Sequence, residues 1–159
     1  MRILNIHSRI IAQPKNELEI LFSSLSSKND KIWPKNHWPR LKFKDGLKVG
    51  AKGGHGPIRY TIEIFHPGEI IQFRFDKPQG FNGVHRFEII ELDAQNTFLK
   101  HSIDMKTNLR ATLIWYITIK WLQDALIEDL LDRVENHYNN SKKRTKWSLW
   151  VKFLRKILG

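Results

Sequence analysis

Between Ile58 and Lys106 apolar and polar residues alternate with a period of two, which restricts this stretch to paired strands with one buried face. Two runs, Ile58-Arg59-Tyr60-Thr61-Ile62-Glu63-Ile64 and Ile71-Gln72-Phe73-Arg74-Phe75, flank His66-Pro67-Gly68-Glu69. The Pro-Gly centre suits a type II turn. Folding about that turn sets Ile64 opposite Ile71, Ile62 opposite Phe73 and Tyr60 opposite Phe75. Those six share one face, while Arg59, Glu63, Gln72 and Arg74 share the other. A second hairpin is predicted over 83–92 and 96–106, with a turn near Asp93–Gln95. Its inward set is His85, Phe87 and Ile89 against Leu99, His101, Ile103 and Met105. Arg86, Glu88, Lys100 and Asp104 point outward.

Other segments are read around this frame. Residues 2–11 are rich in Ile and alternate loosely, which predicts another strand. Pro14 opens a helix over 15 to about 25, with Leu18, Leu21, Phe22 and Leu25 on one face. Lys28-Asn29-Asp30 ends it, and Pro34 and Pro39 keep the following segment irregular. Short strands are expected at 41–44 and 47–52, about the pair Asp45-Gly46. Gly53-Gly54-His55-Gly56 leads into a strand, not into the helix N-terminus a phosphate would need, so it reads as a tight connection or bulge. One long helix is predicted over 109–138. Its second half repeats Leu122, Leu126, Leu130 and Val134 at i+4, with Asp124, Glu128 and Asp132 on another face. That acidic row is expected to be solvated, with a docking strip for a partner or for the basic tail as the alternative. The first half, 113–119, is apolar all round and also suits a strand, but no turn signal separates it from the second half. Asn139-Asn140-Ser141 reads as a short linker.

The resulting order is a strand, a short helical region, about six more antiparallel strands and a long helix. It describes an α+β helix-grip fold: a curved antiparallel sheet of about seven strands wrapped around a long C-terminal helix. Four runs carry a likeness to a known family. They are Val49-Gly50-Ala51-Lys52-Gly53-Gly54-His55-Gly56 with Pro57-Ile58-Arg59-Tyr60; His66-Pro67-Gly68-Glu69 with Phe73-Arg74-Phe75; Gly83-Val84-His85-Arg86-Phe87-Glu88; and Asp124-Ala125-Leu126-Ile127-Glu128 through Arg133. On these the chain resembles the START-related lipid-transfer superfamily, SRPBCC, in its polyketide cyclase/dehydrase and lipid-transport-like groups and a bacterial branch. The resemblance covers roughly 2–138. It implies a cavity for a hydrophobic small molecule, used in transport, sensing or, in some members, catalysis. The expected division is a ligand-binding domain over 1–138 and a basic amphipathic tail over 139–159.

Composition narrows the function. With 159 residues and 41% hydrophobic content the chain can bury one domain core. The absence of cysteine excludes disulfides and thiolate metal sites. No secretory pattern opens the sequence and no apolar run reaches the ~18 residues of a membrane span, so the expected location is the cytoplasm, with peripheral membrane association through the tail. Net charge is +11, of which seven charges lie after Asn139, where no acidic residue occurs. The domain itself is therefore only mildly basic, and nucleic acid is not an expected partner.

The expected cavity lies between sheet and last helix. Tyr60, Ile62, Phe73, Phe75 and His85 line it from the strands, together with Phe87, His101 and Ile103, and Trp115 lines it from the helix. This is the apolar wall with few polar heads usual for a small-molecule pocket. Phe81, between Gly80 and Gly83, reads as a gate at the entrance or as a surface aromatic. A non-enzymatic carrier or sensor of a hydrophobic small molecule or lipid is the first reading. A cyclase- or dehydratase-type enzyme would use the same cavity, with His85 or His101 as general base and Tyr60 as proton donor. An interaction module is the reading if side chains fill the cavity. His85 and His101 lack a third inward ligand, because Glu88 and Asp104 have outward parity, so no metal or other cofactor is expected. In the tail, Trp147, Trp150, Val151, Leu154, Ile157 and Leu158 make an apolar stripe beside Lys146, Lys152, Arg155 and Lys156. That is the pattern of an interfacial helix touching a membrane or a partner. Packing on its own domain, self-association and disorder are the alternatives.

Overall fold

The two hairpins legible in the alternation form the middle of one seven-stranded antiparallel sheet. The computed structural model describes residues 1–139 and 142–158. Its elements are β1 (Arg2–Ile11), α1 (Lys15–Phe22), β2 (Lys42–Phe43), β3 (Lys52–His55), β4 (Ile58–His66), β5 (Ile70–Lys77), β6 (Phe81–Asp93) and β7 (Asn96–Thr107). A long helix comes next, made of α2 (Leu109–Ile114), a π-helical turn (Trp115–Ile119) and α3 (Lys120–Tyr138), and then α4 (Leu149–Leu158). The sheet order is β1-β7-β6-β5-β4-β3-β2. In β6 and β7 the inward residues Phe87, Leu99, His101, Ile103 and Met105 are buried, as their parity requires.

Four local expectations need correction. The first helix stops at Phe22 because Ser23 and Ser24 turn their hydroxyls onto the carbonyls of Ile20 and Leu21, at 2.6 and 2.8 Å, and compete with the helical ladder. Residues 47–51 form no strand; β3 occupies the glycine run instead. Glycine's low strand propensity hides this, and the reason for glycine lies across the sheet: a Cβ on Gly53 would sit 2.5 Å from the Phe43 ring of β2. In the β4–β5 hairpin, Tyr60 faces Phe75 and Ile62 faces Phe73 as expected, but a bulge comes after Ile62. Phe65, not Ile64, then lies opposite Ile71 and packs on the core. Finally, β6 starts at Phe81, ahead of the expected Gly83.

The long helix begins under the Asn108 cap, whose side chain accepts the Ala111 N–H at 2.9 Å. Its acidic row faces β1 rather than open solvent. Asn5, His7 and Arg9, all on the inner face of β1, meet that row. The Asn5 amide donates to Asp124 at 2.8 Å, His7 lies 2.7 Å from Glu128 and 3.0 Å from Asp124, and Arg9 reaches Glu128, Asp132 and Glu135. Asp132 is 4% exposed. The alternation in β1 is thus polar inside and apolar outside over these residues, with Leu4, Ile6 and Ile10 exposed.

The tail folds back on the domain. Val151 and Leu154 are buried, and the Trp147 and Trp38 indoles both donate to Asp129, at 3.0 and 2.7 Å. The Arg155 guanidinium lies 4.5 Å from the Trp38 ring centre and 5.0 Å from that of Trp147. The backbone N–H of Thr145 donates to Asp132 at 2.5 Å, so part of the acidic row does receive the tail. Of the expected linker, Asn140 and Ser141 lie outside the described residues.

Removing the Arg9 guanidinium leaves Asp132 buried without its cation. Arg9→Met is expected to lower the unfolding free energy by about 3 kcal/mol in urea, read by tryptophan fluorescence. A loss under about 1 kcal/mol, the range of an exposed ion pair, would contradict the buried role assigned to this contact.

Candidate functional site

His85 on β6 and His101 on β7 stand one pair apart on neighbouring strands, His85 opposite Ile103 and His101 opposite Phe87. Parity sends both imidazoles inward, where His101 Nε2 and His85 Nδ1 lie 3.4 Å apart. One of the two nitrogens carries the shared hydrogen. The outer nitrogens, His85 Nε2 and His101 Nδ1, have no partner among the described residues. Burial, reinforced by the neighbouring His101 and His55, holds His85 well below its usual range. Burial, with His7 and His55 nearby, brings His101 to about 3. Both rings are therefore neutral near pH 7. The Tyr60 ring lies 4.4 Å from His85 centre to centre, and burial raises its phenol well above the ordinary value, so it keeps its proton.

The remaining expected lining residues converge on the same interior. Phe73 stacks on His85 at 4.7 Å and Phe75 lies 5.0 Å from it. Ile62, Phe87, Ile103 and Trp115 are buried. What they enclose is small: the space bordered by Tyr60, Phe75, His85, Ile103, Trp115 and Gln123 amounts to about 10 Å³. That is room for one water. The ligand-sized cavity expected between sheet and helix is therefore not open, because aromatic and imidazole rings on facing positions fill it. Phe81 is corrected as well. It is 3% exposed and packs edge-on against Phe75 at 5.6 Å, so it is neither gate nor surface aromatic. Starting β6 at residue 81 gives Phe81 the same inward parity as His85 and Phe87.

A larger cleft opens at the end of the sheet beneath α1, with a volume of about 460 Å³. Its floor is made by Phe22, Leu25, Ile71, Phe87 and Ile89, all buried, and its rim by Ser23, Ser26, Ser27, Glu19 and Glu69. Gly68 in the β4–β5 turn has φ +74, and a Cβ there would meet the Glu19 carboxyl carbon at 2.5 Å. Glycine thus lets the turn pass under the α1 rim. Of the floor, only Phe87 was an expected site residue. The serine cluster 23–27 was the available signal, since it ends α1 early and leaves the gap uncovered. Among the described residues no group of three or more His, Asp or Glu is disposed to hold a metal. The tail candidates lie elsewhere: Leu154, Trp147 and Arg155 face their own domain, whereas Trp150, Lys152 and Lys156 are exposed.

A histidine held below its ordinary 6.5 stabilises the fold above that pH and withdraws this contribution as the pH falls toward the folded value. His7 works in the opposite sense. Burial would lower it, but the Asp124 and Glu128 carboxylates raise it, so its contribution is complete below 6.5 and lost at higher pH. Between pH 6.5 and its folded value of about 3, His101 should steepen the loss of unfolding free energy by up to about 1.4 kcal/mol per pH unit, and His85 acts in the same direction. His101→Leu should make the slope shallower by one such contribution in urea unfolding across that range. An unchanged slope would contradict the neutral buried pair.

No family model and no curated protein matches the sequence. Solved structures do match. A Thermobifida fusca protein solved by NMR superimposes with a TM-score of 0.66, at 12% identity, over 91% of this chain and 99% of that one. Norcoclaurine synthase from Thalictrum flavum, in complex with dopamine and hydroxybenzaldehyde, gives 0.63 at 10% identity over 92% and 90%. A START superfamily protein from Mycobacterium smegmatis gives 0.57 at 12% identity over 86% and 97%. At these identities the likeness is one of fold. The chain therefore has a START-like helix-grip fold.

Proposed function

We propose that this chain binds a hydrophobic small molecule without converting it, and that it does so in the cleft beneath α1. The observation that carries this reading is the 460 Å³ cleft with five buried apolar side chains at its floor and a polar rim. Its size falls within the range of small-molecule pockets, and the rim suits a ligand with one polar end. The fold supports the ligand class: norcoclaurine synthase, which shares it, is solved with two small aromatic molecules. A second reading, cyclase- or dehydratase-type chemistry with His85 or His101 as general base, draws support from their two unpartnered ring nitrogens. The 10 Å³ space beside them has no room for a substrate, which favours binding over catalysis.

Nile red, a neutral apolar fluorophore, is expected to brighten on binding and to saturate at one probe per chain. Ser23→Trp places a ring at the exposed rim and should weaken binding about tenfold in a chain that circular dichroism shows to be folded. Native mass spectrometry of freshly purified protein should show a retained apolar mass that the variant lacks. Equal probe binding by both proteins, or no saturable binding, would overturn the assignment to this cleft.

A further inference from the structure

The tail helix leaves uncovered an apolar surface that it shares with the π-helical turn. Leu113, Ile117 and Trp121 recur at every fourth residue along the long helix and are all exposed. Trp150, Phe153 and Ile157 form the matching stripe on α4. The two stripes touch: the Trp150 indole donates to the Ile117 carbonyl at 2.9 Å, and the Trp150 and Phe153 rings stack at 5.4 Å. The Trp121 indole is bonded in the same way to the Tyr116 carbonyl, at 2.9 Å. With their N–H groups used, both tryptophans present apolar ring surface outward. All six residues are between 41% and 57% exposed, whereas Val151 and Leu154, on the adjoining side of α4, are buried. Six large apolar side chains exposed on two touching helices mark a surface that meets something.

Charge decides what it meets. Lys152 and Lys156 flank the patch on the outer side of α4, with Arg110 near the start of the long helix, and all three are exposed. None of them forms an ion pair with a described residue. From Lys142 to Leu158 no acidic residue occurs. A second copy of a chain carrying net charge +11 would bring two such tails together, against their repulsion. An anionic lipid surface supplies both an apolar layer for the rings and the opposite charge for the lysines. We infer that the joint face of α4 and the π-helical turn docks on anionic membrane surfaces, with Trp150, Phe153 and Ile117 entering the headgroup boundary. This goes beyond the cleft reading and stands independently of it, since the two surfaces share no residue.

The test is co-sedimentation of the full chain with vesicles of phosphatidylcholine containing phosphatidylglycerol, compared with phosphatidylcholine alone. The expected result is binding to the anionic vesicles that weakens as salt rises. Leu113→Gln/Ile117→Gln/Phe153→Gln alters only exposed positions and should abolish binding while circular dichroism and thermal midpoint stay unchanged. Lys152→Gln/Lys156→Gln should weaken it by about tenfold or more. Wild-type protein that remains in the supernatant at low salt overturns the inference. So does equal binding by wild type and the triple variant. A dimer in analytical ultracentrifugation that the triple variant loses would assign the face to self-association and overturn it too.

Discussion

The ladder between β1 and α3 sets the geometry on which everything else rests. Alternate residues of a strand advance ~6.6 Å, and every fourth residue of a helix advances ~6.0 Å. Asn5, His7 and Arg9 on the strand therefore run in step with Asp124, Glu128 and Asp132 on the helix, rung for rung. Apolar contacts tolerate sliding by one turn; a ladder of charged hydrogen bonds does not, because a slip leaves a buried carboxylate without its donor. Burial alone would raise Asp124, yet its bonds to His7, Lys120 and Asn5 bring it down to about 2. Fixing the helix at this register is what places Trp115 over the sheet interior and Ile117 on the outside.

How much of this was legible depends on the kind of signal each feature leaves. Period-two alternation is a local signal, so the inward positions of both hairpins and the buried pair His85–His101 could be read directly. A bulge leaves no composition mark of its own, and the one after Ile62 exchanged Ile64 for Phe65 at the core. The strand in Gly53–His55 was hidden because its glycines answer to Phe43, which lies on another strand. The acidic row looked solvated for a related reason: its partners are more than 100 residues away, on a strand whose inner face is polar. Cavity volume was the least legible property of all. Parity says which side chains point inward, but not whether their rings leave space between them.

The interior and the cleft separate two features that the sequence suggested for one place. Tyr60, Phe73, Phe75 and His85 pack ring on ring, which makes the sheet–helix interface a core. The unpaired ring nitrogens inside it are a local cost that an apolar pair would avoid. An apolar-floored cleft opens instead at the end of the sheet, where α1 stops short. In this chain, then, the space beside the gripped helix is closed, and a cleft lies instead between α1, the segment that follows it and the β4–β5 turn.

The pairing of β1 with β7 also joins segments that lie far apart along the chain. Arg2 pairs with Lys106, and Asn5 bonds Asp124 across 119 residues. During synthesis the first strand emerges long before either partner exists, and closing so long a loop is slow. An unpaired strand with an apolar inner face would be a hazard through that interval. The polar side of β1, Asn5, His7 and Arg9, lowers that hazard on one face only, because Leu4, Ile6 and Ile10 line the other.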